Sequence, residues 1–416
     1  MKIKKHFFKE LTNRLKRVKD PRHQSYTIYE PDVILFTVVL KNIMNLKSMR
    51  QMSQNLNKDE CIENVGKALE IKDLEELPHY DTINDFLSSL KPGELENIRN
   101  YMIKELLKKR SLENYRIQGK YWGIIFDGTG LYSFTKRHCP HCLKRTITNK
   151  KTREKTTIYM HHVLEAKLVV GKMVFSIGTE FIENESEEAT KQDCEIKAFY
   201  RLVKKLKKTF PRLPICILGD SLYACEPVFE LCTKNKWKYI LRFKEGRIKS
   251  IKEEFNAIRK LEQKNESKLY FVNEIAYNLR KVNLIETKIK ERTWKQEKEF
   301  VFITNIKITE KNAQALIKAG RSRWKIENVG FNRQKNLRYH IEHINSHNYN
   351  ALKNHYLLTQ IADIIMQLLE NGSTILRTMK KTIKEISSNL LEAVRSRTLT
   401  VEDITLLKKP IQIRFT

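Results

Sequence analysis

Apolar and polar residues follow three successive patterns along this chain. Up to about residue 115 the pattern is typical of helices, as in YEPDVILFTVVLKNIMNLKSMRQMSQNL and LPHYDTINDFLSSLKPGELENIRNYMIKELLKKR. Residues 116–345 alternate short β-branched runs with longer helical stretches, and residues 346–416 return to a helical pattern. Because alternating strands and helices indicate an α/β domain, we predict such a domain at 116–345, between helical regions at 1–115 and 346–416.

The middle segment carries the strand candidates. They are YWGIIFDG, TTIYMHHVLEAKLVV, KMVFSIGTEFI, PICILGD, KYILRFK and, further on, EFVFITNI. Two helix candidates, DCEIKAFYRLVKKLKKTF and EPVFELCTKNK, lie on either side of the fourth strand. A further strand-like stretch, KLYFVNEIAYNLRKVNLIETKIKERTW, precedes the last strand. With 416 residues, the chain is long enough for two or three domains with a hydrophobic core.

The charge of the chain indicates the kind of partner it binds. The sequence has 79 lysines and arginines against 49 acids, which gives a net charge of +30. Such an excess favours a polyanionic partner, with nucleic acid first and an anionic membrane surface second. The most apolar stretch, DVILFTVVLKNIM, contains a lysine and is too short to span a bilayer. The cationic N-terminus lacks an apolar signal core, and seven scattered cysteines favour a reducing compartment. We expect a cytoplasmic protein that binds nucleic acid.

Three acids stand out against this basic background. In WGIIFDGTG an apolar run stops at Asp127 and turns on two glycines, and PICILGDSLYA repeats the design at Asp220. Glu327 follows the last strand and lies in RSRWKIENVG, a helical stretch rich in cations. A carboxylate at the end of a buried strand is costly unless it is paired or bound to a metal. We therefore predict that the three acids converge and bind Mg²⁺, with the nearby cations holding phosphates.

The ordered set Asp127, Asp220 and Glu327 resembles the DDE transposases of bacterial insertion sequences. GDSLYA is similar to the motif of the second acid, and RSRWKIEN to the Arg-x-x-x-Glu motif of the third. The resemblance implies an RNase H-like catalytic domain at 116–345. It is closest to the branch with a β-rich insertion before the final glutamate, here at about 245–298. It also implies catalysis with Mg²⁺ or Mn²⁺.

The same resemblance implies roles for residues around the acids. Arg323 would grip the cleaved DNA end. The branch often has a tyrosine seven residues before the glutamate and a lysine seven after it, where this chain has Gly320 and Gln334. Lys335, one position further on, would then replace that lysine. Trp294 in the insertion would stack on an unpaired base, whereas its alternative role is core packing.

The implied activity is the cut-and-paste transposition of an insertion sequence. Asp127 and Asp220 would share one metal ion, and Glu327 and Asp127 would hold the other, for strand cleavage followed by strand transfer. The helical region 1–115 would bind the terminal inverted repeats, and a homodimer would bring two element ends together. We expect the protein to be bacterial and associated with the nucleoid. The alternatives are a metal-dependent nuclease without strand transfer and an inactive, basic DNA-binding derivative.

A second constellation, RHCPHCLKR, contains Cys139 and Cys142 at the spacing that binds zinc. His138 and His141 lie beside them, and His161 or His162 in YMHHVLEAK could complete the site from an adjacent strand. The predicted ion is a structural Zn²⁺ that pins the loop after the first catalytic strand. The alternative is a β-turn with two free thiols.

Overall fold

The computed structural model describes residues 1–137, 139–186, 191–244, 248–264, 267–291, 296–378 and 380–409. Its α-helices are α1 Lys2–Phe7, α2 Leu11–Lys16, α3 Pro31–Ile43, α4 Met49–Leu56, α5 Asp59–Leu69, α6 Tyr80–Ser89, α7 Pro92–Leu107, α8 Glu195–Thr209, α9 Glu226–Asn235, α10 Lys249–Leu261, α11 Glu310–Arg321, α12 Tyr349–Gly372, α13 Thr374–Thr378, α14 Ile383–Ser396 and α15 Val401–Lys408. The strands are β1 Trp122–Phe134, β2 Leu143–Thr148, β3 Lys155–Val170, β4 Met173–Ile182, β5 Ile215–Gly219, β6 Lys238–Arg242, β7 Leu269–Tyr277, β8 Arg280–Ile289 and β9 Lys298–Thr304. Short 3₁₀ turns span Gln24–Tyr26 and Arg110–Tyr115, and a π-helical segment spans Ile326–Leu337.

One mixed sheet contains all nine of these strands. Its order is β2-β3-β1-β5-β6-β9-β8-β7, and β4 pairs with β3 beside this path. β1 runs antiparallel to β3 but parallel to β5, and β5 runs parallel to β6. β9, β8 and β7 then extend the far edge as an antiparallel meander. The central strands β1 and β5 therefore run in the same direction, and β1 continues beyond the end of β5.

The length of β3 lets two strands share its outer edge. β2 pairs with residues 155–160 of β3, and β4 pairs with residues 162–170. β4 is buried along its whole length because α8 covers one of its faces and α12 covers the other. Burial on both faces explains why MVFSIGTEFI is mostly apolar.

The helical regions at both ends of the chain pack against each other. Helix α12 contacts α3, α6 and α7 from the N-terminal region as well as β4 of the sheet. At its first turns, Asn350 and Asn354 donate to the main-chain carbonyl of Leu90 at the end of α6. α12 therefore lies between the N-terminal helices and the sheet and packs against both.

The predicted fold class is confirmed: the protein is mixed α/β, with a central mixed sheet and helical N- and C-terminal regions, as expected for an RNase H-like domain. The segment at about 245–298 contains α10, β7 and β8, which continue the sheet beyond β9. Within the described residues, no helix combines the length and apolarity needed to cross a membrane.

Candidate active site

Asp127 lies in the middle of β1. The expectation that the strand stops there is wrong, because β1 continues to Phe134 through antiparallel pairing with β3. Opposite residues of an antiparallel pair share one face of the sheet, and Asp127 pairs with the buried Glu165. The Asp127 side chain keeps 25% of its surface exposed, so it can still reach a ligand.

Asp220 follows the last residue of β5, as predicted. β1 and β5 are parallel, with Ile125 opposite Leu218, and two further steps along this register bring Asp127 level with Asp220. The Asp220 carboxylate accepts a hydrogen bond of 2.8 Å from the main-chain N–H of Leu222, which fixes the turn that follows the strand. The two aspartates thus lie level with each other, Asp127 within β1 and Asp220 directly after the neighbouring strand β5.

Glu327 and Arg323 come from the chain that follows α11. Arg323 Nη1 lies 3.5 Å from Asp127 Oδ2, and Glu327 is the second residue of the π-helical segment, which packs on β1 and β4. The close approach of α11 to the sheet requires glycine at Gly320, where a Cβ would lie 2.7 Å from the Phe302 ring. This packing explains why the position holds no tyrosine.

The surroundings of Asp127, burial above all, disfavour its ionised form. Burial raises the pKa of Asp127 to about 7; the positive charge of Arg323 opposes this rise, and the negative charges of Glu195, Asp220 and Glu327 add to it. Oxygen donors with excess negative charge are the ligands that Mg²⁺ and similar hard cations prefer. The donor set therefore fits a divalent cation, which would replace Arg323 as the neutralising charge.

Glu195 is a fourth carboxylate that the sequence did not single out. It opens α8, and its Oε1 accepts a hydrogen bond of 2.6 Å from the hydroxyl of Tyr223. Its Oε2 would lie 2.6 Å from a Cβ on Gly128, so a larger residue next to Asp127 would displace this carboxylate from its present position. Burial raises the pKa of Glu195, Tyr223 opposes the rise, and Asp220 adds to it. The missed signal was the glycine that follows the first aspartate.

The acids surround a common region but do not form one tight cluster. Among the described residues, no three carboxylates each place an oxygen within 4.8 Å of the other two. Like charges repel in the absence of a cation, and the Arg323 guanidinium lies beside Asp127. Pairs of acids that each hold one of two ions about 4 Å apart do not require a tighter group.

Buried polar side chains of β3, α12 and the π-helical segment form a hydrogen-bonded network next to the acids. Lys167 of β3 lies 4.0 Å from Glu165 and donates to Gln360 of α12 at 2.7 Å. Gln334 of the π-helical segment also donates to Gln360, at 3.0 Å. Buried polar groups need such partners, so this network ties the strand opposite Asp127 to the segment that carries Glu327.

Lys335 and Trp294 are the other residues predicted to bind DNA, and no observed contact among the described residues places either beside the three acids. Lys335 Nζ lies 2.7 Å from Glu342 Oε1. Gln334, at the family's lysine position, is fully buried and hydrogen-bonds to Asp363 and Gln360, which a lysine could do only by burying its charge. Trp294 lies outside the described residues.

The structure brings Cys139 and Cys142 together with His161. Cys139 Sγ lies 3.6 Å from Cys142 Sγ, and His161 Nε2 lies 3.4 Å and 3.5 Å from the two sulfurs. His162 does not join them, because neighbouring strand residues point to opposite faces; its ring lies 3.5 Å from where a Cβ on Gly130 would be. His138 lies outside the described residues.

Comparison with solved structures gives only a weak likeness. The crystal structure of Ciona intestinalis endonuclease V, in complex with a 24mer DNA containing an inosine followed by a ribo-adenosine, matches at 13% sequence identity. The match covers 52% of this chain and 88% of that chain with a TM-score of 0.26. No curated protein matches the chain.

Two family models match the sequence. One is described as DDE_Tnp_1-associated and matches residues 12–102. The other is described as Transposase DDE domain and matches residues 118–362, which contain Asp127, Asp220 and Glu327. Because this second match covers more than half of the chain and all three acids, the protein belongs to the DDE transposase family.

Proposed function

We propose that the protein moves an insertion sequence by cut-and-paste transposition, through two-metal phosphoryl transfer at Asp127, Asp220 and Glu327. The family implies DNA binding, strand cleavage and strand transfer with divalent metal ions. The observation that carries the proposal is the placement of Asp127 level with Asp220 on parallel strands, with the charge of Glu327 acting on Asp127. These acids would serve both chemical steps at one site.

Within this site each acid has a defined task. Asp127 and Asp220 would hold one cation, and Glu327 and Asp127 a second one. When bound, Mg²⁺ or Mn²⁺ would activate the attacking water or 3′-hydroxyl and stabilise the leaving oxygen. Arg323, displaced from Asp127 by the cation, would then bind a phosphate of the cleaved end, for which its planar guanidinium is suited.

Glu195 would act as an additional carboxylate at the same metals. Tyr223 holds it by a short hydrogen bond, Gly128 leaves space for its carboxylate, and its negative charge acts on Asp127. Mg²⁺ usually binds one or two protein carboxylates directly and keeps several waters. Glu195 would therefore orient a metal-bound water, with Tyr223 as its positioning residue.

DNA beyond the cleavage point would contact other basic surfaces. α1 and α2 bury an apolar face, whereas Lys2, Lys5, Arg14 and Lys16 of these helices are exposed. This surface would bind the terminal inverted repeats, with Lys335 near the site on the cleaved end and Trp294 on an unpaired base. A homodimer would hold two element ends together in the nucleoid of a bacterial cell.

A strand-transfer assay tests the proposal. The protein is mixed in Mg²⁺ with a linear DNA that carries the gene's two flanking sequences around a marker, and with a circular target plasmid. We expect double-strand breaks at the marker's boundaries, followed by joining of its 3′ ends to the plasmid, detected by sequencing the junctions. The same marker with scrambled flanks is the control and should give no junctions.

Two outcomes would contradict the proposal. Cleavage without junctions would favour a nuclease that lacks strand transfer. DNA binding without cleavage in either Mg²⁺ or Mn²⁺ would favour an inactive DNA-binding derivative.

Arg323→Ala is expected to weaken binding to pre-cleaved ends. Loss of one charge-assisted phosphate contact costs about 1–3 kcal/mol, or roughly 5- to 150-fold in Kd. The slope of log Kd against log salt should change by about 0.9 if one phosphate contact is lost. Fluorescence anisotropy over a salt series measures both quantities.

Arg321→Ala is the matched control, since Arg321 is on the same stretch but pairs with Glu291. Its affinity for cleaved ends should change less than that of Arg323→Ala. Equal losses in the two variants would mean that Arg323 contributes only general positive charge.

A further inference from the structure

Two cysteines from the segment between β1 and β2 form a compact group with a histidine of β3. Cys142 and His161 are buried, at 0% and 1% exposure, and Cys139 is partly buried. The three donor atoms form a nearly equilateral triangle, with sides of 3.6, 3.4 and 3.5 Å. Among the described residues this is the one group of histidine, cysteine and acidic side chains compact enough to hold a metal ion.

The triangle has the size of one face of a zinc tetrahedron. With Zn–S of about 2.3 Å and Zn–N of about 2.0–2.1 Å, tetrahedral angles give roughly 3.8 Å between sulfurs and roughly 3.6 Å between sulfur and nitrogen. A single S–H···N hydrogen bond would need only one sulfur near His161. Here both sulfurs approach the same nitrogen almost equally, as ligands of a shared cation do.

The surrounding residues fix the orientation of the histidine ring. His161 stacks on the ring of Tyr349, with centroids 4.6 Å apart, and His141 stacks on it at 5.0 Å. The Tyr349 hydroxyl donates to Glu183 at 2.5 Å. Such outer contacts orient the ligands of a metal and reduce the cost of assembling them.

We propose that Cys139, Cys142 and His161 bind a structural zinc ion. Three protein ligands leave a fourth position for a water or for another side chain. This site is separate from the carboxylates and does not depend on the proposed reaction.

A zinc ion would also stabilise the turn at residues 139–142, which hydrogen bonds connect through Asn184 to the segment before α8. Asn184 donates its side-chain N–H to the carbonyl of Cys142 at 3.0 Å, and its main-chain carbonyl lies 2.8 Å from His141 Nδ1. Its side-chain oxygen accepts from the N–H of Asp193 at 3.1 Å, two residues before Glu195. A rigid turn would thereby hold the fourth carboxylate near Asp127.

Metal analysis tests this inference directly. Protein purified under reducing conditions and dialysed against excess Mg²⁺ should retain about one zinc per chain by mass spectrometry, as a structural site does. The X-ray absorption spectrum should show two sulfur ligands. Stripping with a strong chelator should lower Tm by several degrees, speed hydrogen exchange at Asn184 and Asp193, and be reversed by zinc but not by Mg²⁺.

Matched variants locate the ion. The double variant Cys139→Ser, Cys142→Ser should lose the zinc and have a lower Tm. Cys194→Ser, which changes an exposed cysteine, should retain the zinc and the wild-type Tm. Asp127→Asn should also retain the zinc, since its carboxylate belongs to the other site. Zinc-free wild-type protein whose Tm does not respond to added zinc would overturn the proposal. So would full zinc content in the double-serine variant. If that variant does not fold, the chelation series on the wild type decides alone.

Discussion

Asp127→Asn, Asp220→Asn and Glu327→Gln are each expected to abolish DNA cleavage while leaving DNA binding nearly intact. Each change keeps the side-chain shape but removes a charge that the metal ions need. Since changes in the outer shell of a metal already cost about 10–100-fold, loss of a direct ligand should reduce the cleavage rate roughly a thousandfold or more. The measurement is the single-turnover cleavage rate in Mg²⁺, with Kd for the same DNA from anisotropy.

Glu230→Gln is the matched control for these three variants. Glu230 is an exposed acid on α9, in the same domain as Asp220, and its change should leave cleavage near the wild-type rate. If Asp127→Asn, Asp220→Asn or Glu327→Gln also cleaved near that rate, the assignment of that acid as a metal ligand would be wrong.

Glu195→Gln extends the series with an intermediate loss. Because we assign Glu195 to a metal-bound water rather than to direct coordination, its loss should slow cleavage by about 10–100-fold. Tyr223→Phe removes the hydrogen bond that holds Glu195 and should cause a smaller loss in the same direction. A Glu195→Gln rate equal to wild type would reduce Glu195 to an ordinary acid in the first turn of a helix.

The main parts of the fold were readable from the sequence because burial leaves a clear local signature. The apolar runs that become β1, β4 and β5 predict buried strands, and two of them lead directly to Asp127 and Asp220. The last strand and the helical stretch after it likewise located Glu327. Local patterns suffice here because each acid follows an apolar run in the chain.

Contacts between distant parts of the chain were not readable in this way. Glu195 looks like a normal first-turn acid, which the helix dipole favours, and only its approach to Gly128 reveals it. The pairing that carries β1 past Asp127 depends on β3, a separate strand candidate. Strand alternation allowed either His161 or His162 to face the cysteines, and only the register of β3 selects His161.

The buried ion network behind the site was also invisible to pattern reading, and it predicts a large stability effect. Arg338 is fully buried and Arg333 is 5% exposed. Their guanidiniums lie 2.6 Å from the two carboxylate oxygens of Glu370, and Arg333 also pairs with Asp363 at 3.2 Å. The network joins the π-helical segment, which carries Glu327, to α12.

Glu370→Gln is therefore expected to destabilise the protein by about 3–5 kcal/mol, the cost of leaving buried charges without their partner. Urea unfolding should show a lower midpoint with a nearly unchanged slope. Cleavage, measured well below the new midpoint, should also slow, because the segment bearing Glu327 loses an anchor. Glu63→Gln is the control: its pair with Lys67 is largely exposed, so its loss should change stability by less than about 1 kcal/mol. Arg333 also has Asp363 as a partner, and Arg338 also donates to the Ser387 hydroxyl and the Ile383 carbonyl. Equal midpoints for Glu370→Gln and Glu63→Gln would mean that these partners already satisfy both guanidiniums, and that Glu370 does not hold the site together.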